Sequence, residues 1–156
     1  MMKKLSLQKL IPHLLFIVIP LLIGLLIYIF ADNGSFLHDW FTDHFGAMVS
    51  QRIYNYLSKS SIIVFLRNFL CDCCWAFSLE HSVYFILRNS RKGLFESVII
   101  SIVFSLFIES AQFFGIILGT FDFLDIIFEI TAIVFAGFTI YFMFWRNIYE
   151  KGGKDY

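Results

Sequence analysis

The sequence predicts an all-α integral membrane protein: four transmembrane helices and a further helix lying in the outer membrane interface. Three observations carry that expectation. Of the 156 residues, 59% are hydrophobic, 21 are Phe and only 15% are charged, against about 25% charged in ordinary globular chains, and the mean hydropathy is +0.77. The apolar residues are gathered into runs of about 20, the length needed to cross a hydrocarbon core. Most of the basic residues fall in three short segments separated by pairs of those runs: Lys3, Lys4 and Lys9; Arg88, Arg91 and Lys92; Arg146, Lys151 and Lys154. By the positive-inside rule all three face the cytoplasm, which requires an even number of spans and puts both termini inside.

The formal net charge is zero, so no basic field exists for nucleic acid and none is expected as a partner. Membrane lipids are the expected surroundings. Internal repeats are absent, so residues 1–156 read as a single membrane domain. Cys71, Cys73 and Cys74 fall within four positions, which is neither a secreted disulfide framework nor a paired zinc motif. They read as small packing residues.

The first span is residues 11–30, Ile11 to Phe30, without a formal charge. Ile29-Phe30-Ala31 lacks the small residues of a signal cleavage site, so the span is read as uncleaved. Pro20 inside it predicts a kink, tolerated where a neighbour satisfies the freed carbonyl. Residues 31–60 form the extracytoplasmic loop. Phe45, Val49, Ile53 and Leu57 recur every four positions while Gln51, Arg52, Asn55 and Lys59 face elsewhere, the pattern of an interfacial helix. His38, Asp39, Asp43 and His44 in the same loop read as solvated.

The second span is expected at about 68–87, with Ile62 to Leu66 as an outer extension and Asn68 as its N-cap. Asp72 then lies in the first turn and complements the helix dipole. Spans three and four follow at about 94–118 and 121–145, joined by a turn at Gly119. Ser97, Ser101, Ser105, Glu109, Gln112, Gly115 and Gly119 make one polar and small stripe on the third span. Asp122, Asp125, Glu129, Ala132 and Ala136 make another on the fourth. Ionisable side chains are costly against lipid and small ones permit close approach, so the two stripes are expected to face each other. Glu109 and Glu129 each stand ten positions from Gly119, hence at equal depth. Two carboxylates so placed do not both ionise easily, and they are expected to share a proton, pair with Arg67 or bind a cation. Glu80-His81, nearer the inner side, reads as a proton relay with Glu96; equally, Glu80 and Glu96 pair with Arg88 or Lys92 by snorkelling.

The run Arg67-Asn68 with Asp72 and Trp75, then Glu109-x-x-Gln112, then Gly119-Thr120-Phe121-Asp122-x-x-Asp125 resembles the VanZ-like family of small bacterial membrane proteins. The resemblance covers about Arg67 to Gly137. The chain departs from the family pattern at Cys71, where Pro is common, and at Glu129 and Ala132, where Asn and Gly are common. The resemblance implies a multi-pass protein of the bacterial cytoplasmic membrane acting at its outer face in envelope biology, with lowered binding of the glycopeptide teicoplanin as the name-giving activity. It carries no established reaction.

The residues expected to form the functional pocket are Arg67, Asn68, Asp72, Trp75, Glu109, Gln112, Thr120, Asp122, Asp125 and Glu129. The leading reading is a non-catalytic pocket of acids and amides that recognises an envelope component such as a lipid-linked cell-wall precursor. A second reading is a membrane enzyme in which Asp72, Glu109, Asp122 and Asp125 hold a divalent cation, Mg or Ca by their oxygen chemistry, against a lipid phosphate. No nucleophile and base pair is legible, so no catalytic residue is assigned. A third reading is a proton-coupled transporter using Glu109, Glu129 and Glu80-His81, which with four spans requires a homo-oligomer.

Overall fold

The computed structural model describes residues 7–31, 36–45, 61–87, 91–117 and 121–145. The helices are α1 (Leu7–Ala31), α2 (Phe36–Phe45), α3 (Ser61–Ile86), α4 (Arg91–Phe113) and α5 (Phe123–Ile140), the last continued by a π-helical turn over Tyr141–Trp145. No strand occurs among the described residues. Two segments, Lys92–Phe113 and Phe123–Met143, are long and apolar enough to cross a membrane by length and composition, and α1 holds a shorter apolar stretch, Leu14–Ile29.

The bundle is centred on α3, which packs against α1, α4 and α5, while α4 and α5 pack on each other and α2 touches α1. This shifts the centre of the molecule away from the α4–α5 hairpin that the sequence emphasises. The reason lies in composition: α3 carries Asp72, Glu80 and His81 along its length, and a helix so equipped is stable in an apolar bundle only where neighbours surround it. The outer helices instead expose aliphatic and aromatic side chains, among them Leu22 and Leu26 on α1, Phe95 and Val103 on α4, and Phe123 and Phe135 on α5. Between them Ala76, Ala132 and Ile133 form a buried core flanked by Cys73, Phe77, Val98 and Ile102.

Helix α1 runs unbroken through Pro12 and Pro20. Beside Pro20, the Ser78 hydroxyl of α3 lies 3.0 Å from the carbonyl of Ile17. Further along, Gly24 brings the two helices together: its carbonyl accepts from Cys71 Sγ at 3.4 Å, and a Cβ there would lie 3.3 Å from Cys74 Cβ. Cys73 turns the other way and its thiol reaches the Phe128 carbonyl of α5. None of the three thiols is in a disulfide, and they serve as small contact residues on two faces of α3.

Helix α3 begins at Ser61, so Asn68 lies inside the helix and is not its N-cap, and the expected outer extension is part of the same helix. No Pro or Gly between Ser61 and Phe69 interrupts it. The expected interfacial helix over Phe45 to Lys59 lies outside the described residues apart from Phe45, the last residue of α2. Within α2, Trp40 stacks on His44 with ring centres 4.5 Å apart, and Asp39, Asp43 and His44 are exposed.

Helix α4 stops at Phe113, five residues before the expected boundary, and Gly115 is the cause. Its φ of +67° places it in the left-handed region that ends helices. The Gly115 amide donates to Gln112 O at 2.9 Å and the Ile116 amide to Ala111 O at 2.9 Å, the paired bonds of a Schellman cap. The connection to α5 therefore begins at Phe114, the expected turn at Gly119 lies outside the described residues, and Gly115 belongs to a cap rather than to the packing stripe.

Candidate functional site

The two stripes on α4 and α5 do turn inward. Ser97, Ser101, Ser105 and Glu109 on α4 are buried, as are Glu129, Ala132 and Ala136 on α5. They meet directly where the Ser105 hydroxyl donates to Glu129 Oε2. Because α4 ends at Phe113, Glu109 lies four residues from its helix end and Glu129 six residues beyond Phe123. At about 1.5 Å per residue these are depths of roughly 6 and 9 Å. Glu129 thus sits between Glu109 and Ser105 and takes its hydrogen bond from the serine. No hydrogen bond joins Glu109 and Glu129 among the described residues, although the two lie within electrostatic range; the side chain of Arg67, the other expected partner, lies outside the described residues.

At the end of the bundle near the α4–α5 turn, Asp72 of α3, Glu109 of α4 and Asp125 of α5 lie within electrostatic range of one another. Glu109 is 4% exposed, and its Oε2 has no hydrogen-bond partner among the described residues. Asp72, Gln112 and Asp125 are half-buried around it. Trp75 lies beside Glu129 and meets Phe104 edge to face at 6.4 Å. Three helices thus contribute one carboxyl each to a single acidic cluster.

Asp122 has a different task. Its backbone is extended, with φ −132° and ψ 130°, and Oδ1 accepts the Leu124 amide at 2.9 Å. It is the N-cap of α5, exposed at the rim, with Asp125 in the first turn where the helix dipole favours an acid. Asp122→Ala is expected to cost about 1 kcal/mol and Asp122→Asn much less, measured as thermal unfolding in detergent. Equal stability of the two variants would exclude the capping role.

Among the described residues no group of three or more His, Cys, Asp or Glu side chains is placed to hold a metal ion. The Mg or Ca site expected from Asp72, Glu109, Asp122 and Asp125 is therefore not assembled; the commitment of Asp122 to its cap accounts for one of the four. Thr120 and the side chains of Arg67 and Asn68 lie outside the described residues.

A second polar centre lies deeper. Glu80 and His81 are wholly buried. Glu80 Oε1 is 2.6 Å from the Ser97 hydroxyl. His81 Nε2 is 3.1 Å from Thr139 Oγ1, and its ring stacks on Phe16 with centres 5.0 Å apart. Of the two acids expected to pair with the basic loop, Glu96 does so, with Lys92 at 3.5 Å on the exposed surface, whereas Glu80 stays buried against Ser97. Arg88 lies outside the described residues. The four-residue repeat Ser97-Ser101-Ser105-Glu109 was the available signal, because it puts all four on one face of α4. No family model, curated protein or solved structure matches this chain.

Proposed function

We propose that the chain is a four-span protein of the bacterial cytoplasmic membrane whose outer pocket recognises a lipid-linked envelope component, in the manner implied by its resemblance to the VanZ-like family. The observation that carries this reading is Glu109, almost wholly buried with an unpartnered oxygen, facing Asp72 and Asp125. Such a group costs stability unless something donates to it. Its carboxylates accept hydrogen bonds and the Gln112 amide both accepts and donates, so its ligand presents amino or amide N–H groups beside carbonyls, as an exposed peptide does.

An apolar groove of about 390 Å³ supports a lipid-linked ligand. It is lined by Pro20 and Ile23 of α1, Cys73, Cys74 and Phe77 of α3, and Phe128 of α5. Cys73 adjoins Asp72, and Phe128 lies one turn below Asp125. A hydrocarbon chain in the groove leaves its polar head at the acidic end. α1 and α3, at 25 and 26 residues, are long enough for about 30 Å of hydrocarbon at about 1.5 Å per residue, and complete the four spans.

The test is teicoplanin susceptibility, with surface binding of labelled drug, in a sensitive host expressing wild type, Glu109→Gln or Asp125→Asn at matched membrane levels. The wild type is expected to lower both drug binding and susceptibility, and both variants to lose the effect. A wild type without any effect would sink the resistance reading.

A further inference from the structure

We propose that the buried polar groups of α3, α4 and α5 form a continuous proton path from the acidic pocket inward to Glu80. The path goes beyond ligand recognition and does not depend on it. Its backbone is α4, where Ser97, Ser101, Ser105 and Glu109 succeed one another at intervals of four residues, all buried. Neighbouring helices insert a carboxyl at each end of the serine row. Glu129 of α5 accepts from Ser105 and lies within electrostatic range of Glu109. Glu80 of α3 contacts Ser97 and neighbours Ser101.

Glu109 Oε2 is buried without a hydrogen-bond partner among the described residues, an exception in folded proteins. Glu80 Oε2 and Ser101 Oγ are buried with no close hydrogen bond but lie within reach of each other, so the two form a loosely joined pair through which a proton can pass. The Ser97 hydroxyl, which has one proton, faces two acceptors, Glu80 Oε1 at 2.6 Å and the Leu94 carbonyl at 2.9 Å. A proton held by Glu80 satisfies both contacts at once. The interval from Ser101 to Ser105 is four residues, about 6 Å along the helix axis, which one water making two hydrogen bonds of about 2.8 Å nearly spans. From Glu109 to Ser97 the row runs roughly 18 Å at about 1.5 Å per residue. Each hydroxyl takes up a proton as it passes on its own, so nothing is oxidised or reduced.

The outer end opens through half-buried Asp72, Gln112 and Asp125. At the inner end Tyr84, wholly buried one turn beyond Glu80, places a phenol on the same face of α3. His81 belongs to the other side of α3, toward Phe16 of α1 and Thr139 of α5, and is outside the row. The titratable groups that bear on the path are therefore Asp72, Glu80 and Tyr84 on α3, Glu109 on α4, and Asp122, Asp125 and Glu129 on α5.

The experiment uses the purified full chain in liposomes with an imposed pH gradient, a potassium and valinomycin clamp, and an entrapped pH-sensitive dye. Wild type is expected to dissipate the gradient faster than protein-free vesicles, Glu80→Gln and Glu129→Gln to fall back to the protein-free rate, and Glu96→Gln, altering a surface pair, to match wild type. Ser101→Ala, a small change that leaves the helices packed, is expected to slow the flux and Ser101→Thr to restore it. A wild type no faster than empty vesicles, or Gln variants as fast as wild type, overturns the path. The susceptibility assay above is read independently, so either proposal can fail alone.

Discussion

Gly24→Leu is expected to destabilise the protein by about 2–3 kcal/mol, the upper part of the range for overpacking a close contact. The magnitude follows from what the new side chain meets. A Cβ at Gly24 comes within 3.3 Å of Cys74 Cβ and within 4.0 Å of the Cys71 backbone, atoms fixed to the helix that cannot rotate away. Relief requires α1 and α3 to separate, which also lengthens the contacts from Cys71 Sγ to Gly24 O and from Ser78 to Ile17 O. Gly137 is an instructive contrast. A Cβ there approaches Val98 Cγ2 at 3.1 Å, a shorter distance, yet the obstacle is a terminal methyl whose side chain can turn. Gly137→Ala is therefore expected to cost less than Gly24→Leu despite the tighter number. Thermal unfolding in detergent provides the ranking, and Cys74→Gly combined with Gly24→Leu should recover part of the loss through a measurable coupling. A Gly24→Leu protein as stable as wild type would mean that α1 does not pack on α3 at this point.

The sequence made the helical architecture legible because apolar length and basic clustering are properties of whole segments, insensitive to local error. The inward direction of the α4 and α5 stripes was legible for a similar reason: a run such as Ser97, Ser101, Ser105 and Glu109 admits one helix face and is costly against lipid. What escaped was set by single residues. Gly115 lies in a row of small residues and reads equally as packing or as a cap; only its φ decides, and the choice moves Glu109 relative to Glu129 by a few ångströms. That displacement converts an expected pair of glutamates into a serine–glutamate pair. The central place of α3 was hidden because its apolar content is diluted by the groups that make it central. Asp122-x-x-Asp125 read as chemistry, and half of it proved to be the start of a helix. A short motif at a helix boundary carries both meanings, and the Asp122 to Leu124 hydrogen bond separates them.

Glu129 is the residue at which stability and function come apart most sharply. It is 1% exposed, accepts the Ser105 hydroxyl, and stands between the outer acidic cluster and the serine row. Glu129→Ala removes the acceptor and leaves a void of several atoms in the α3–α4–α5 junction, so a loss of about 2–4 kcal/mol is expected from cavity and orphaned hydroxyl together. Glu129→Gln preserves volume and a carbonyl acceptor and should cost under about 1 kcal/mol, in line with the modest net value of a hydrogen bond inside a membrane bundle. Glu129→Leu preserves volume alone; Ser105 can then turn its hydroxyl back to the carbonyl of Ser101, one helix turn earlier, which lessens the penalty. The expected order of thermal stability in detergent is thus wild type and Glu129→Gln first, Glu129→Leu next, Glu129→Ala last. Proton flux is expected to follow a different order, with all three variants at the protein-free rate, because neither an amide nor an alkyl group both accepts and releases a proton. Were flux to track stability, with Glu129→Gln conducting like wild type, Glu129 would be a packing and hydrogen-bonding residue of the bundle and the proton path would have to bypass it.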